Sequence, residues 1–141
     1  MGISKATAEW NGGFKTGKGV MKPAHASEAP FSVSSRFEGQ QGSNPEELIG
    51  AALAGCFSMA LTIALETAGH APVGIKSSAD VHLEKDGAGF SIKTINLTTV
   101  ANVPGLDSAK FQQIAEETKK GCPVSKALAG TNIVLAASLA T

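Results

Sequence analysis

Two stretches in the middle of the chain alternate apolar and polar residues with a period of two. They cover residues 73–85 and 90–103, and the short segment Asp86-Gly87-Ala88-Gly89 between them is typical of a hairpin turn. Because successive side chains of a strand point to opposite faces, each stretch predicts a strand with one wet face. The sequence therefore predicts a long antiparallel hairpin, and any fold for this chain has to accommodate it.

A long helix is predicted immediately before the hairpin. Asn44 or Ser43 can cap it, Pro45 suits the first helical position, and Glu46 lies in the first turn, where the helix dipole favours negative charge. Gly69 is expected to end the helix near residue 68.

The part of the chain that follows the hairpin predicts two helices and a strand. Asp107 can cap a helix that runs to Lys120, with Gly121 past its end. A short helix should begin at Pro123, and residues 132–139 should form the last strand.

The N-terminal part predicts a hairpin as well. Residues 5–10 alternate and lead into the turn Asn11-Gly12-Gly13 and a second extended stretch, residues 22–30 are expected to be a loop, and residues 31–37 a short strand. The order of strands, helix, hairpin, helices and strand is that of an α+β protein, and we expect residues 1–141 to form a single domain.

The composition excludes several classes of function. With 43% hydrophobic residues and twelve cationic residues balanced by twelve acidic ones, the chain can form a core but has no positive excess to attract nucleic acid or a membrane surface. The N-terminus lacks the features of a secretion signal, and no apolar stretch is expected to reach the length of a membrane span. We therefore expect a cytoplasmic protein, in which a pair of cysteines is more often reactive than structural.

The two cysteines, Cys56 and Cys122, lie in different settings. Cys122 precedes Pro123 and would cap a new helix, whose N-terminal amides stabilise a thiolate and lower its pKa. Cys56 lies about three turns inside the long helix and would need a cation from elsewhere. By local sequence alone, Cys122 is the better candidate for the low-pKa thiol.

Arg36 is the candidate for that cation, because it is the only arginine in the chain. Its planar guanidinium can hold a carboxylate with two hydrogen bonds and still offer an N–H to a thiolate, and Glu46 is the expected carboxylate partner. The alternative is an ordinary surface ion pair.

The spacing of Glu46 and Cys56 adds a constraint. Ten residues on one helix separate them by roughly 15 Å, too far for one side chain to serve the other. Either the helix is broken or one of the two belongs to a second subunit, and the small residues between them would let a partner helix approach, which predicts a dimer with shared sites. The alternative is that these small residues pack under the chain's own sheet.

Other classes of protein fit the residues less well. The chain has only two cysteines and three histidines, and their spacing is not that of metal ligands, which makes a metal site a poor fit. A cysteine hydrolase would need a histidine base, and the sequence does not place one near Cys56. The strongest competitor is a non-catalytic binding or stress protein whose cysteines are small buried hydrophobes.

Four motifs of the chain stand out together. They are Arg36-Phe37-Glu38-Gly39, the run from Asn44 to Ala52, Cys56-Phe57-Ser58-Met59-Ala60-Leu61, and Gly121-Cys122-Pro123-Val124-Ser125. In their order and spacing these motifs resemble the osmotically inducible protein C family, and more closely than its sister group, the organic hydroperoxide resistance proteins. The resemblance extends over essentially the whole chain.

This resemblance implies an intertwined homodimer of α+β subunits, with antiparallel sheets around a long central helix and shared active sites. It implies a thiol peroxidase without cofactor or metal that reduces organic hydroperoxides and, more weakly, hydrogen peroxide, in defence against oxidative or osmotic stress. Cys56 matches the peroxidatic cysteine, Cys122 the resolving cysteine with which it forms a disulfide within one subunit, Arg36 the activating arginine and Glu46 its carboxylate partner. The resemblance thus reverses the local preference for Cys122 as the nucleophile.

The resemblance also implies that an external dithiol, carried by a lipoyl protein, reduces the disulfide. Phe57, Met59 and Phe111 are candidates to line a pocket for alkyl peroxides, although such residues at helical spacing are more often part of a core.

Overall fold

A computed structural model describes residues 2–141 and confirms the mixed α+β class. The chain forms two compact units, which meet in sequence between Glu47 and Leu48. That residues 1–141 act as one domain stays a prediction. In chain order the elements are β1 (Ala6–Asn11), β2 (Lys18–Pro23), β3 (Ala29–Phe31), α1 (Val33–Phe37), α2 (Pro45–Thr67), β4 (Gly74–Asp86), β5 (Gly89–Asn102), α3 (Ser108–Gly121), α4 (Pro123–Ala127) and β6 (Asn132–Leu139).

The first unit is built on an antiparallel sheet in the order β1-β2-β3. The predicted N-terminal hairpin is confirmed as β1 and β2, but the predicted loop at 22–30 is shorter, because β2 extends to Pro23 and β3 begins at Ala29. Gly19 is required in β2, since an added Cβ would lie 2.6 Å from the ring of Phe31 and 2.7 Å from that of Trp10.

The strand predicted at residues 31–37 is wrong, because most of this segment forms helix α1. Ser32 and Ser35 explain the difference: the Ser35 amide donates to Ser32 Oγ at 3.1 Å, and the Ser32 amide donates to Ser35 Oγ at 2.9 Å. This reciprocal capping box satisfies two amides that a strand would have to pair elsewhere.

The second unit packs helices against a sheet in the order β4-β5-β6. The predicted hairpin is confirmed as β4 and β5, which pair antiparallel, while β6 lies parallel to β5. Helix α2 contributes a fully buried row at helical spacing to the core of this unit. The members of the row are Leu53, Phe57, Leu61 and Leu65.

Helix α2 begins and ends as predicted. Of the two candidate caps, Asn44 accepts a hydrogen bond from the Glu47 amide at 2.8 Å. At the other end Gly69 takes a positive φ of 86°, a conformation that glycine adopts without strain. The helix is unbroken over its 23 residues.

The expectation that no apolar stretch reaches the length of a membrane span is wrong. By length and composition α2 could cross a membrane, with a mean hydropathy of 2.1 in a window of which 28% is buried within the subunit. The core helix of a soluble protein meets the same criterion, so the finding by itself does not indicate a membrane protein.

Candidate active site

The fold of the second unit brings the two cysteines together. Cys56 on α2 and Cys122 are free thiols, and the Cys122 thiol donates to Cys56 Sγ across 2.9 Å. Cys122 is completely buried, whereas Cys56 is half-buried. Two thiols separated by 66 residues in sequence are therefore in direct contact.

Cys122 lies at the junction of α3 and α4 and belongs to both helix ends. Its amide donates to the Thr118 carbonyl at 2.9 Å, which closes α3, and its carbonyl accepts from the Lys126 amide at 3.0 Å, which opens α4. Pro123 occupies the first turn of α4. The predicted helix start at Pro123 is thus confirmed, with the thiol at the cap position.

Burial raises the pKa of Cys56, and its hydrogen bond with Cys122 raises it further. The Val124 amide stabilises the Cys56 thiolate and opposes this shift only in part. The second unit by itself therefore does not activate Cys56, and the prediction that this thiol needs a cation from elsewhere agrees with its surroundings.

The pKa of Cys122 shifts in the opposite direction to that of Cys56. Burial raises the pKa of Cys122, but hydrogen bonds from Cys56, from Ser125 and from the Val124 amide outweigh burial and hold the pKa below its ordinary value. In this ionised state Cys56 donates to Cys122, the reverse of the reduced pair. The direction of this shift agrees with the local prediction that Cys122 has the lower pKa.

In the first unit, Arg36 and Glu46 form the predicted two-pronged ion pair. Arg36 Nη2 lies 2.6 Å from Glu46 Oε1, and Nε lies 3.2 Å from both carboxylate oxygens. The Glu46 residue is only 7% exposed, unlike a carboxylate in an ordinary surface pair. Within residues 2–141 Nη1 makes no hydrogen bond, so the guanidinium keeps a donor for a further acceptor.

An apolar pocket of about 320 Å³ adjoins this arginine within the first unit. Trp10 and Phe14 lie on its wall, and sequence reasoning missed both; the only signal was the presence of aromatic residues on either side of the hairpin turn. The residues that line the pocket are Trp10, Phe14, Phe31, Ser32, Val33, Arg36 and Phe37.

The residues suggested from the sequence as pocket lining lie elsewhere. Phe57 and Phe111 are completely buried in the core of the second unit, and Met59 is 71% exposed on α2. Over residues 2–141, no group of three or more His, Cys, Asp or Glu side chains is arranged to hold a metal ion.

Comparison with known proteins identifies the family. Residues 38–137 match the family described as OsmC-like protein. The peroxiredoxin OsmC of Escherichia coli is 47% identical over 126 residues, which are 88% of each chain. This chain belongs to the OsmC-like family. The match includes Glu46, Cys56 and Cys122, while Arg36 lies two residues before it.

Other OsmC-like relatives agree in sequence and structure. The organic hydroperoxide resistance protein OhrB of Bacillus subtilis is 37% identical over 94 residues, 66% of this chain and 67% of that protein. The OhrB crystal structure superposes with a TM-score of 0.70 at 27% identity over 94% of this chain and 97% of that one. An OsmC-like protein from Mycoplasma pneumoniae, 13% identical, shares the fold with a TM-score of 0.77 over 99% of both chains.

Proposed function

We propose that this protein is a thiol peroxidase that reduces organic hydroperoxides and, more weakly, hydrogen peroxide. The observation that carries the proposal is the contact of two free thiols at 2.9 Å in an OsmC-like chain. The relatives, a peroxiredoxin and an organic hydroperoxide resistance protein, support the same chemistry by their names. We place its role in the defence of the cell against oxidative and osmotic stress.

In the first step the Cys56 thiolate attacks the distal oxygen of the hydroperoxide. A sulfur–oxygen bond forms, the oxygen–oxygen bond breaks, and an alcohol leaves with a proton, so that Cys56 becomes a sulfenic acid. Arg36 stabilises the thiolate and the negative charge on the leaving oxygen through its free Nη1 donor, while Glu46 holds the guanidinium in position. In this proposal Arg36 is a catalytic residue, and Glu46 is a positioning residue that acts through it.

In the second step Cys122 attacks the sulfur of the sulfenic acid. A disulfide forms between Cys56 and Cys122 of one subunit, and the oxygen leaves as water with the proton of Cys122. The two sulfurs start 2.9 Å apart and have to approach by less than about 1 Å to reach a disulfide bond length. The two thiols supply both electrons, so that the cycle requires no cofactor. An external dithiol, which we expect to be a lipoyl group on a protein, then reduces the disulfide.

The pocket in the first unit supports an organic substrate. Its wall is mainly aromatic and aliphatic, and Arg36 is the charged residue among the described residues that line it. An alkyl or aryl group fits such a surface better than water does, because burial of apolar area is favourable. This favours organic hydroperoxides over hydrogen peroxide.

We propose that two copies form an intertwined homodimer with shared active sites. Residues 2–47 of the first unit include no buried hydrophobic residue, since the buried apolar side chains begin at Leu53. On α2 the face opposite the buried row carries Gly55, Met59 and Ile63 at helical spacing, and the last two are 71% and 63% exposed. A second copy would cover this apolar face, and because α2 is unbroken, two antiparallel copies of it would bring Glu46 of one level with Cys56 of the other.

The dimer predicts a specific effect of charge on α2. Met59→Asp should shift the protein from dimer to monomer, because it places a carboxylate in the middle of the apolar face that the second copy covers. The measurement is molar mass by light scattering during size-exclusion chromatography. Val73→Asp, at a residue 73% exposed outside α2, is the matched control and should stay dimeric. A monomeric parent protein, or a dimeric Met59→Asp variant, would contradict this arrangement.

The cytoplasm is the compartment that suits this cycle. A reducing environment keeps both thiols free between turnovers, and there a cysteine pair persists as dithiol. We accordingly expect neither nucleic acid nor a membrane among its partners, since its net charge is zero.

One experiment tests the proposed function directly. The reduced protein is mixed with one equivalent of cumene hydroperoxide per subunit, free thiols are counted, and disulfides are mapped by mass spectrometry. We expect rapid loss of both thiols, a Cys56–Cys122 bond within one subunit, and one equivalent of the alcohol. Two free thiols that persist would refute the peroxidase and leave a family fold with a non-catalytic role.

A further inference from the structure

The side-chain hydroxyl of Ser125 is buried and makes no hydrogen bond to the described residues of the reduced protein. The residue is 8% exposed, and its Oγ is the one buried side-chain oxygen or nitrogen within residues 2–141 that has no aligned hydrogen-bond partner. An unpartnered buried hydroxyl lowers the stability of the folded protein by the order of 1–3 kcal/mol. This cost points to a hydrogen bond that the hydroxyl makes in a state other than the reduced, resting one.

The position of Ser125 in α4 explains why its hydroxyl is unpartnered. It is the third residue after the cap Cys122, the position from which a side chain in a capping box reaches back to the cap amide. Ser35 uses this arrangement in α1. In α4 the cap amide is already taken, because it donates to the Thr118 carbonyl at 2.9 Å.

The sulfur of Cys122, at the cap of the same helix, is an acceptor on which the Ser125 side chain acts. In the reduced pair Cys122 is a protonated thiol that donates a hydrogen bond to Cys56, and its side chain makes no cap hydrogen bond. A thiolate at the same place has no proton and accepts hydrogen bonds instead. The Ser125 hydroxyl and amide both stabilise that thiolate, and Cys56 is the one titratable group in the described chain that acts on it as well.

We propose that Ser125 is a positioning residue for the resolving cysteine, whose hydroxyl donates to the Cys122 thiolate in the steps where that thiolate is formed. This rests on the proposed function and extends it to the second half of the cycle. When the Cys122 thiolate attacks the Cys56 sulfenic acid, the sulfur–sulfur bond forms, the sulfur–oxygen bond breaks, and the hydroxide that leaves takes up the proton released by Cys122 to become water. The thiolate that attacks is the species that Ser125 holds.

The same contact directs the reduction of the disulfide. Cys122 is completely buried and Cys56 is half-buried, so an external dithiol meets the Cys56 sulfur first. A new bond forms between the dithiol and Cys56, the disulfide breaks, and Cys122 leaves as a thiolate that accepts from Ser125. A stabilised thiolate is the better leaving group, because thiol exchange is faster when the leaving thiol has a lower pKa.

The test is the ionisation of Cys122 with and without the hydroxyl. In a Cys56→Ser background Cys122 is the only thiol, and its ultraviolet thiolate absorbance is followed against pH. Ser125→Ala should lower the acid dissociation constant of Cys122 by about tenfold, the equivalent of one hydrogen bond to a charged acceptor. Ser125→Thr should restore the parent value, because it keeps the hydroxyl.

A matched control separates this role from loss of any internal hydroxyl. Ser77→Ala removes a hydroxyl that pairs with Ser58 and Thr99 at 2.8 and 2.9 Å and does not act on Cys122, and it should leave the dissociation constant unchanged. Ser125→Ala should keep or raise the melting temperature of the reduced protein, since it removes an unpartnered group. A variant that fails to fold, melts lower, or ionises like its parent would overturn the proposal.

Turnover gives the second readout. With both cysteines present, Ser125→Ala should slow disulfide formation after a single equivalent of cumene hydroperoxide by up to about tenfold at neutral pH, with the oxidation of Cys56 unchanged. Because the titration of Cys122 uses no peroxide, it can fail while the peroxidase stands. Equally, a protein that consumes no peroxide would refute the proposed function and leave the titration interpretable.

Discussion

Cys56→Ser should abolish consumption of organic hydroperoxide. A serine hydroxyl is not ionised at neutral pH and is a poor nucleophile toward peroxide oxygen, so the rate is expected to fall by about 10³-fold or more, to the background. The measurement is the loss of cumene hydroperoxide under turnover with a dithiol reductant. Undiminished consumption by this variant would show that Cys56 is not the nucleophile.

Cys122→Ser is the matched variant, because it removes the other thiol of the same pair. Without a reductant it should consume one equivalent of hydroperoxide per subunit and then stop as a sulfenic acid on Cys56, which a dimedone adduct would reveal in place of the disulfide of the parent. If the roles of the cysteines were exchanged, the two variants would exchange their behaviour. This pair of variants therefore decides between the family assignment and the local pKa preference for Cys122.

Arg36→Ala should give the second large effect. The surroundings of Cys56 raise its pKa within the second unit, so the thiolate depends on a cation supplied from elsewhere. Removal of one such charge-stabilising donor is expected to slow the oxidation of Cys56 by about 10²- to 10³-fold. The measurement is the single-turnover rate of thiol loss as a function of pH, with the alanine variant gaining rate toward higher pH as Cys56 ionises.

Two further variants test how Arg36 acts. Arg36→Lys keeps the charge but loses the planar fork that contacts both oxygens of Glu46, and should fall between the parent and the alanine variant. Glu46→Gln keeps the shape of the partner and removes its charge, and should lower the rate less than Arg36→Ala does. An Arg36→Ala protein with the parent rate at neutral pH would exclude this arginine from the reaction.

Local signals explain why much of the fold was predictable. The β4–β5 hairpin follows from alternation and a glycine turn, and α2 follows from Asn44, Pro45 and Gly69, all of which act through neighbouring backbone groups. The junction at Cys122 likewise follows from Pro123, which can begin a helix but cannot continue one.

The local signals failed where they competed. In residues 31–37 the apolar spacing predicted a strand, but two serines three residues apart satisfied each other's amides and formed α1. Helix α2 also reaches the length and hydropathy of a membrane span, contrary to the prediction, because its charged residues are confined to its ends. In each place a second pattern in the same residues, the serine pair of α1 or the long uncharged interior of α2, gave the observed result.

The α+β class, the family, the caps of the long helix and the helix start beside Cys122 can be read from the amino-acid sequence, because these depend on residues close together in the chain. Only the tertiary structure placed Cys122 Sγ 2.9 Å from Cys56, built the aromatic pocket beside Arg36, and left the Ser125 hydroxyl without a partner. Contacts across 66 residues arise from how helices pack on a sheet, and burial sets the pKa of each thiol through that packing. No local pattern encodes either of them.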